Sequence, residues 1–313
     1  MKARRPVKDI KYERGMTVDS LMVQLRQSGG FTGRKLSEAV DIMEKMVRKE
    51  GCTTFLSFPA CIMATGTRGA IVEMVKRGLI DAIITTCGTL DHDLARTWKS
   101  YYHGDFHMDD VKLHREGLNR LGNVLVPNTS YGIVLERKLQ PMFKEILRDR
   151  DSISTREIVD EVGSRIDDER SLVHWCHRNK VPVFVPGITD GSFGSQLWMY
   201  WQDHRKFKLD LFQDEQDLMD LVFDAKESGA LMIGGGISKH HTIWWNQFRG
   251  GLDRAVYLTT AAEYDGSLSG AQVREAVSWG KVKERADHVT VEGDATITLP
   301  FIVASLLERL DAR

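Results

Sequence analysis

One local pattern recurs along this chain and limits its fold more than any single residue does. A short apolar run rich in β-branched residues is followed by a polar or glycine-rich loop, and then often by an amphipathic stretch. Residues 53–58 lead to Pro59, with helix-like spacing over about 67–77. Residues 82–86 lead to Cys87-Gly88-Thr89, residues 181–185 to Thr189-Asp190-Gly191, and residues 230–233 to Gly234-Gly235-Gly236. Residues 255–260 lead to Glu263 and Asp265-Gly266-Ser267, and residues 288–291 to Gly293-Asp294-Ala295 and a helix over about 299–310. Continuous apolar runs, as opposed to alternating ones, belong to strands covered on both faces. Alternating with helices, they predict an α/β fold: a doubly wound, mostly parallel central sheet with helices on both faces, Rossmann-like and of the dinucleotide-binding type.

Such sheets bind ligands at the carboxyl ends of their strands. The loops named above all follow strands, so the site is expected to collect Thr86, Gly88, Asp190, Gly235, His240, Asp265 and Asp294. The charged segment 154–179 reads as a surface excursion or one long connecting helix, and nothing there marks a boundary. The chain is therefore read as a single domain, 1–313, with a short N-terminal extension over 1–15. Lys plus Arg (43) almost balances Asp plus Glu (44), which gives no support for a nucleic-acid binder. No apolar segment follows the basic residues 1–6, and no run approaches the roughly 20 residues that span a bilayer. A cytoplasmic location without membrane contact is expected. The four cysteines are widely spaced and form no Cys-x-x-Cys pair, which argues against a disulfide framework or a zinc site. His103, His107 and His114 lie in an Asp-rich stretch without ligand spacing, so residues 101–113 read as a polar loop and no metal is expected.

Within the loops, Gly234-Gly235-Gly236 would let backbone N–H groups approach a pyrophosphate, or would simply make a tight strand-to-helix turn. Asp294, after another strand, is placed like the carboxylates that grip ribose hydroxyls, which favours a dinucleotide as the ligand. Lys281 ends the stretch Glu275-Ala276-Val277-Ser278-Trp279-Gly280-Lys281. A lysine is ordinarily a solvated surface charge. Here an aromatic wall and a flexible glycine stand directly before it, which makes it a candidate Schiff-base nucleophile. His240 or His241 is either a general base or a partly buried structural histidine. Asp265-Gly266-Ser267 is either a site loop or only a turn. Asp91-His92-Asp93 reads as a helix N-cap with its first turn, and Trp244, Trp245, Trp198 and Trp201 as core or subunit-interface residues.

Taken together, these stretches resemble one family, the deoxyhypusine synthases, and its archaeal branch most of all. The likeness is carried by Gly234-Gly235-Gly236 with Lys239-His240-His241, by Asp265-Gly266-Ser267, Ser269-Gly270-Ala271 and the Glu275-to-Lys281 block, and by Thr189-Asp190-Gly191-Ser192, Thr85-Thr86 with Gly88, and Gly293-Asp294-Ala295. It runs from about Pro6 to Leu310. The resemblance implies NAD-dependent transfer of the aminobutyl group of spermidine, through an imine on Lys281, to one lysine of the translation initiation factor 5A precursor. His240 would take the proton of the amine being oxidised. Glu275, Trp279, Gly266, Ser267, Asp91 and His92 would line the amine pocket. Thr86, Cys87, Gly88, Asp190, Gly234, Gly235, Gly236, Thr260, Ala261, Asp265, Asp294 and Ala295 would hold NAD. A homotetramer with sites at a dimer interface is implied as well.

The sequence departs from the eukaryotic pattern of that family in the amine pocket. Ser195 and Leu268 stand where acids are expected, Trp244 where an asparagine is, and His92 where a second glutamate is. Asp91, Asp93 and Glu263 are candidate replacements for the acids. The same chemistry could therefore serve a small-amine acceptor, as in homospermidine synthase, or a different donor such as agmatine. A non-catalytic NAD-binding paralogue would have no physical need to retain Lys281, Trp279, His240 and Glu275 together.

Overall fold

Each apolar run becomes a strand. The computed structural model describes residues 4–312, and the strands are β1 (Cys52–Phe58), β2 (Ala82–Thr85), β3 (Val183–Phe184), β4 (Glu227–Ile233), β5 (Leu252–Thr259) and β6 (Val282–Glu292). They form one sheet in the order β6-β5-β4-β1-β2-β3. Pairing is parallel where Val256 of β5 stands beside Leu231 of β4 and Val289 of β6, and where Ile84 of β2 stands beside Phe184 of β3. The expected α/β class with a mostly parallel central sheet is met. Strand β6 starts well before its apolar run. Its pairing jumps from Val282 to Asp287, so the polar residues between them lie outside the regular ladder. An edge strand tolerates that irregularity, and its charges discourage edge-to-edge pairing.

The chain forms two compact units: Met1–Leu56 with Val222–Arg313, and Ser57–Leu221. In the first unit, Phe31–Arg48 is an amphipathic helix that buries Leu36, Ala39, Val40, Met43 and Met46 at helical spacing. Its apolar stripe packs on β5 and β6, each large side chain contributing about 1.5–3 kcal/mol by burial. The helix Val18–Ser28 is capped by Thr17 and ends at Gly29. Glu308, on the last helix (Ala295–Asp311), accepts the N–H groups of Val18 and Asp19 at 3.1 and 2.7 Å, so the two chain ends are tied. Of the N-terminal extension, residues 1–3 lie outside the described residues, and residues 4–15 form no helix or strand.

The second unit is built around the helix Cys87–Trp98. Thr86 is its N-cap, so Asp91-His92-Asp93 sits mid-helix and not at a helix start, which corrects the sequence reading. Residues 154–179 are also not one helix. They form Thr155–Gly163, opened by a Ser154–Glu157 capping box, and Leu172–Asn179, opened by Ser171. Each serine side chain accepts a first-turn N–H, and between them Asp168 accepts the Arg170 N–H in a turn. Residues 101–113 contribute the strand Tyr102–His103 to a small antiparallel sheet with Leu118–Leu121 and Val124–Pro127, and Asp109 caps the helix Asp110–Arg115.

Candidate active site

Lys281 is positioned by an abrupt change of backbone. Glu275–Ser278 makes a single helical turn, and Gly280 follows at φ 70°, in the left-handed region that strains any residue with a Cβ. The Lys281 N–H then donates to the Ala276 carbonyl at 3.0 Å, and its own carbonyl accepts from Leu252 as the chain enters β6. The side chain is 8% exposed. Its ammonium lies 5.1 Å from the ring centre of Trp279 and 5.7 Å from that of Trp244. Among the described residues it forms no ion pair. Two indole faces thus stand where a carboxylate would otherwise be, each worth about 0.5–2 kcal/mol to a nearby cation.

His240 shares the helix Gly236–Gln247 with Trp244, and the two rings stack at 5.7 Å and 21°. Desolvation, assisted by the charge of Lys281, holds the His240 imidazole below its ordinary range. A neutral ring at neutral pH is a ready proton acceptor. His241 has a different environment. Burial, with a smaller contribution from His240, pushes it down to about 4, and its Nε2 accepts from Trp245 Nε1 at 3.2 Å. Glu275 is exposed, and its charge acts on Lys239.

The ends of β4, β5 and β6 carry the remaining candidates of this unit. Strand β4 runs into Gly234, whose N–H donates to Leu258 at 2.8 Å. A Cβ on Gly235 would lie 2.1 Å from Ser269 Oγ and 2.4 Å from Ser269 Cα. The close approach at Gly235 is therefore taken by the chain's own turn. Gly235→Ala is expected to cost about 1–3 kcal/mol by overpacking, measured by denaturant unfolding; a loss below about 0.5 kcal/mol would show that the turn yields freely. Beyond β5, Thr260 is exposed and Ala261 half-buried. Asp265 Oδ1 accepts from Ser267 N and Oγ at 2.7 and 2.6 Å, bonds that lower its carboxyl pKa. Gly266 is open. Beyond β6, Asp294 caps the last helix through Thr296 N and Oγ1, both at 2.8 Å, and Ala295 follows.

The second unit holds the other group. Thr86 Oγ1 accepts from Ala60 N at 3.1 Å. The buried Cys87 thiol is pushed up to about 12 by desolvation and the Asp91 charge, so it is inert. Gly88 abuts Ala60. Asp91 is fully buried and accepts from Ser192 N, Phe193 N and Tyr131 OH at 2.8, 2.7 and 2.8 Å. His92 Nδ1 lies 2.9 Å from Tyr101 OH, and burial, with the Arg96 charge, holds its ring down to about 4. A cavity of about 600 Å³ opens beside His92 and Tyr131, lined also by Arg120, Asn128, Glu136 and Gln196. Asp190 is exposed, just ahead of the helix Ser192–Asp203.

The three carboxylates considered as replacements for missing acids are all engaged. Asp91 and Asp93 are given to helix starts, and Glu263 pairs with Arg274. Sequence reasoning missed Tyr131 as the partner of Asp91, because no motif surrounds it. It also left Lys239 without a role, although that residue lies in the motif.

A dinucleotide fits the first unit at Gly236 better than at Gly235. A Cβ on Gly236 would meet nothing within 4 Å, and the residue opens a 12-residue helix whose unpaired N–H groups suit a phosphate. Thr260 and Ala261 follow the adjacent parallel strand.

The sequence profile described as deoxyhypusine synthase matches residues 20–306. A "Probable deoxyhypusine synthase" of Picrophilus torridus is 53% identical over 305 residues, covering 97% of this chain and 98% of its own length. One from Sulfolobus acidocaldarius is 46% identical, covering 96% of each. Among solved structures, a candidate deoxyhypusine synthase from Entamoeba histolytica superposes with a TM-score of 0.69 at 20% identity, covering 96% of this chain and 97% of that one, which supports the fold.

Proposed function

The chain belongs to the deoxyhypusine synthase family of transferases, and on that premise we propose that it moves the aminobutyl group of spermidine, by way of Lys281, to one lysine of the translation initiation factor 5A precursor. The observation that carries this reading is a buried lysine without an ion pair, flanked by two indoles and close enough to lower the pKa of His240. NAD, held at the Gly236 helix start with Thr260, Ala261 and Asp294 nearby, would take a hydride from the carbon beside the amine nitrogen and later return it. His240 accepts the proton released as that carbon becomes an imine. The free amine of Lys281 attacks the imine carbon, the bond to 1,3-diaminopropane breaks, and a C=N bond joins the four-carbon fragment to Nζ. Attack by the acceptor lysine then frees Lys281. Trp279 and Trp244 face the cationic nitrogen through this exchange.

A homotetramer with sites at a dimer interface belongs to the same reading, supported by the exposed Trp279 and Trp244 beside the lysine and by the exposed Phe248 packed on Trp244. So does a cytoplasmic location, since no helix among the described residues is long and apolar enough to cross a membrane. A second reading, transfer to a small amine, is favoured by Ser195 and Leu268 and by the engagement of Asp91, Asp93 and Glu263. Incubating the protein with NAD, labelled spermidine and the factor precursor separates the two. Label on a single precursor lysine is the expected result. Label only on added putrescine would support the second reading, and absence of released 1,3-diaminopropane would remove both.

A further inference from the structure

Lys239 is the residue of the Lys239-His240-His241 motif that the proposed chemistry does not use. It is 3% exposed. Its ammonium donates to the carbonyls of Leu268 and Ala271 at 2.8 and 2.6 Å and stands 3.5 Å from the ring centre of Tyr257. The carbonyl between them, Ser269, accepts from Tyr257 OH at 2.6 Å and Thr259 Oγ1 at 2.8 Å. Three backbone carbonyls of one turn are thus satisfied entirely by side chains from the helix Gly236–Gln247 and from β5. A turn outside any ladder has no other way to pair these groups once they face inward. The same turn rests on Gly235, and its Gly270 N–H donates back to Ser267. The loop is therefore clamped from below while Gly266 and Ser267 stay exposed above.

We propose that Lys239 is a positioning residue: by holding the carbonyls of Leu268 and Ala271 it fixes the Asp265–Ala271 loop and so sets where Gly266 and Ser267 meet the amine substrate. The proposal rests on the functional reading above for its substrate, but the clamp itself does not. Lysine suits the task because a compact ammonium on a flexible stem carries three donors, here two carbonyls and an aromatic face. Burial pulls this ammonium down to about 7 against the pull of Glu275, which the two short carbonyl bonds accommodate in either protonation state.

The test is amide hydrogen exchange over residues 264–272 in wild type, Lys239→Met and Tyr257→Phe, alongside steady-state kinetics with spermidine. In Lys239→Met, exchange in this loop is expected to accelerate at least tenfold while β4 and β5 stay protected. KM for the amine is expected to rise about tenfold with kcat changed less than about threefold. Tyr257→Phe, which keeps the ring and loses one bond to the turn, is expected to move the same quantities in the same direction by a smaller factor. It serves as the test if the methionine variant does not fold. Unchanged loop exchange in a folded variant, or a loss of kcat at constant KM, would overturn the proposal. Wild-type protein inactive on spermidine would count against the functional reading alone, since the exchange comparison still decides the clamp.

Discussion

Replacing Lys281 by alanine is expected to abolish transfer, lowering kcat by on the order of 10³-fold or more, as removal of a covalent nucleophile does in other enzymes. With NAD present, borohydride should trap the labelled four-carbon fragment of spermidine on the wild-type protein, at Lys281, and nothing on the variant. The fold should survive, because Lys281 forms no ion pair among the described residues, and the backbone bonds at this position do not depend on its side chain. Lys281→Arg separates charge from nucleophilicity. It retains a cation facing Trp244 and Trp279 but cannot form the imine, so it should bind the amine and still fail to turn over. Label that persists in Lys281→Ala would mean that the covalent carrier lies elsewhere.

The largest stability effect is expected at Asp93. Its carboxylate is fully buried and accepts from Ser171 Oγ at 2.8 Å, Leu172 N at 2.9 Å and Val173 N at 3.1 Å, with the Arg68 guanidinium 3.4 Å away. It is the shared anchor of a helix start and a nearly buried arginine. Burial pushes its pKa up while Arg68 and the N–H donors pull it down. Asp93→Ala would leave Arg68 as an uncompensated buried charge and strip the Leu172 and Val173 N–H groups of their acceptor, a loss of about 3–5 kcal/mol. In thermal unfolding that corresponds to a fall in Tm on the order of 10 °C. The double variant Asp93→Ala/Arg68→Met should recover part of the loss, since it removes both charges; no recovery would show that the helix start, and not the arginine, sets the cost.

The strands were legible because their signal is local: a continuous apolar run needs no partner to be recognised. The site motif around Lys281 was legible for a similar reason, since Trp279, Gly280 and Lys281 are adjacent and shape one turn of backbone. What could not be read was where acids go. Asp91 and Asp93 look alike in the sequence and like substrate ligands in a resemblance, yet each is spent on a helix beginning 79 or more residues away. No periodicity encodes that distance. Lys239 was equally silent, because its partners are backbone carbonyls, which have no letter in a sequence. The helix break between residues 154 and 179 was legible in retrospect from Asp168 and Ser171, a turn former and a second N-cap inside the stretch.

Among the helices that begin just after strand-end loops, those at Ser192 and at Gly236 could both be drawn as receptacles for a phosphate. The sign of the charge already resting on them sorts the two. At Ser192 the first N–H groups are neutralised by Asp91 from within the fold, so an arriving anion would be repelled there, while an uncharged hydroxyl or a cation would not. At Gly236 no side chain among the described residues caps the helix, and a Cβ there would meet nothing within 4 Å. The same backbone feature, a helix start, thus disfavours an anion at Ser192 and favours one at Gly236, each by the charge that its own unit has or has not placed there.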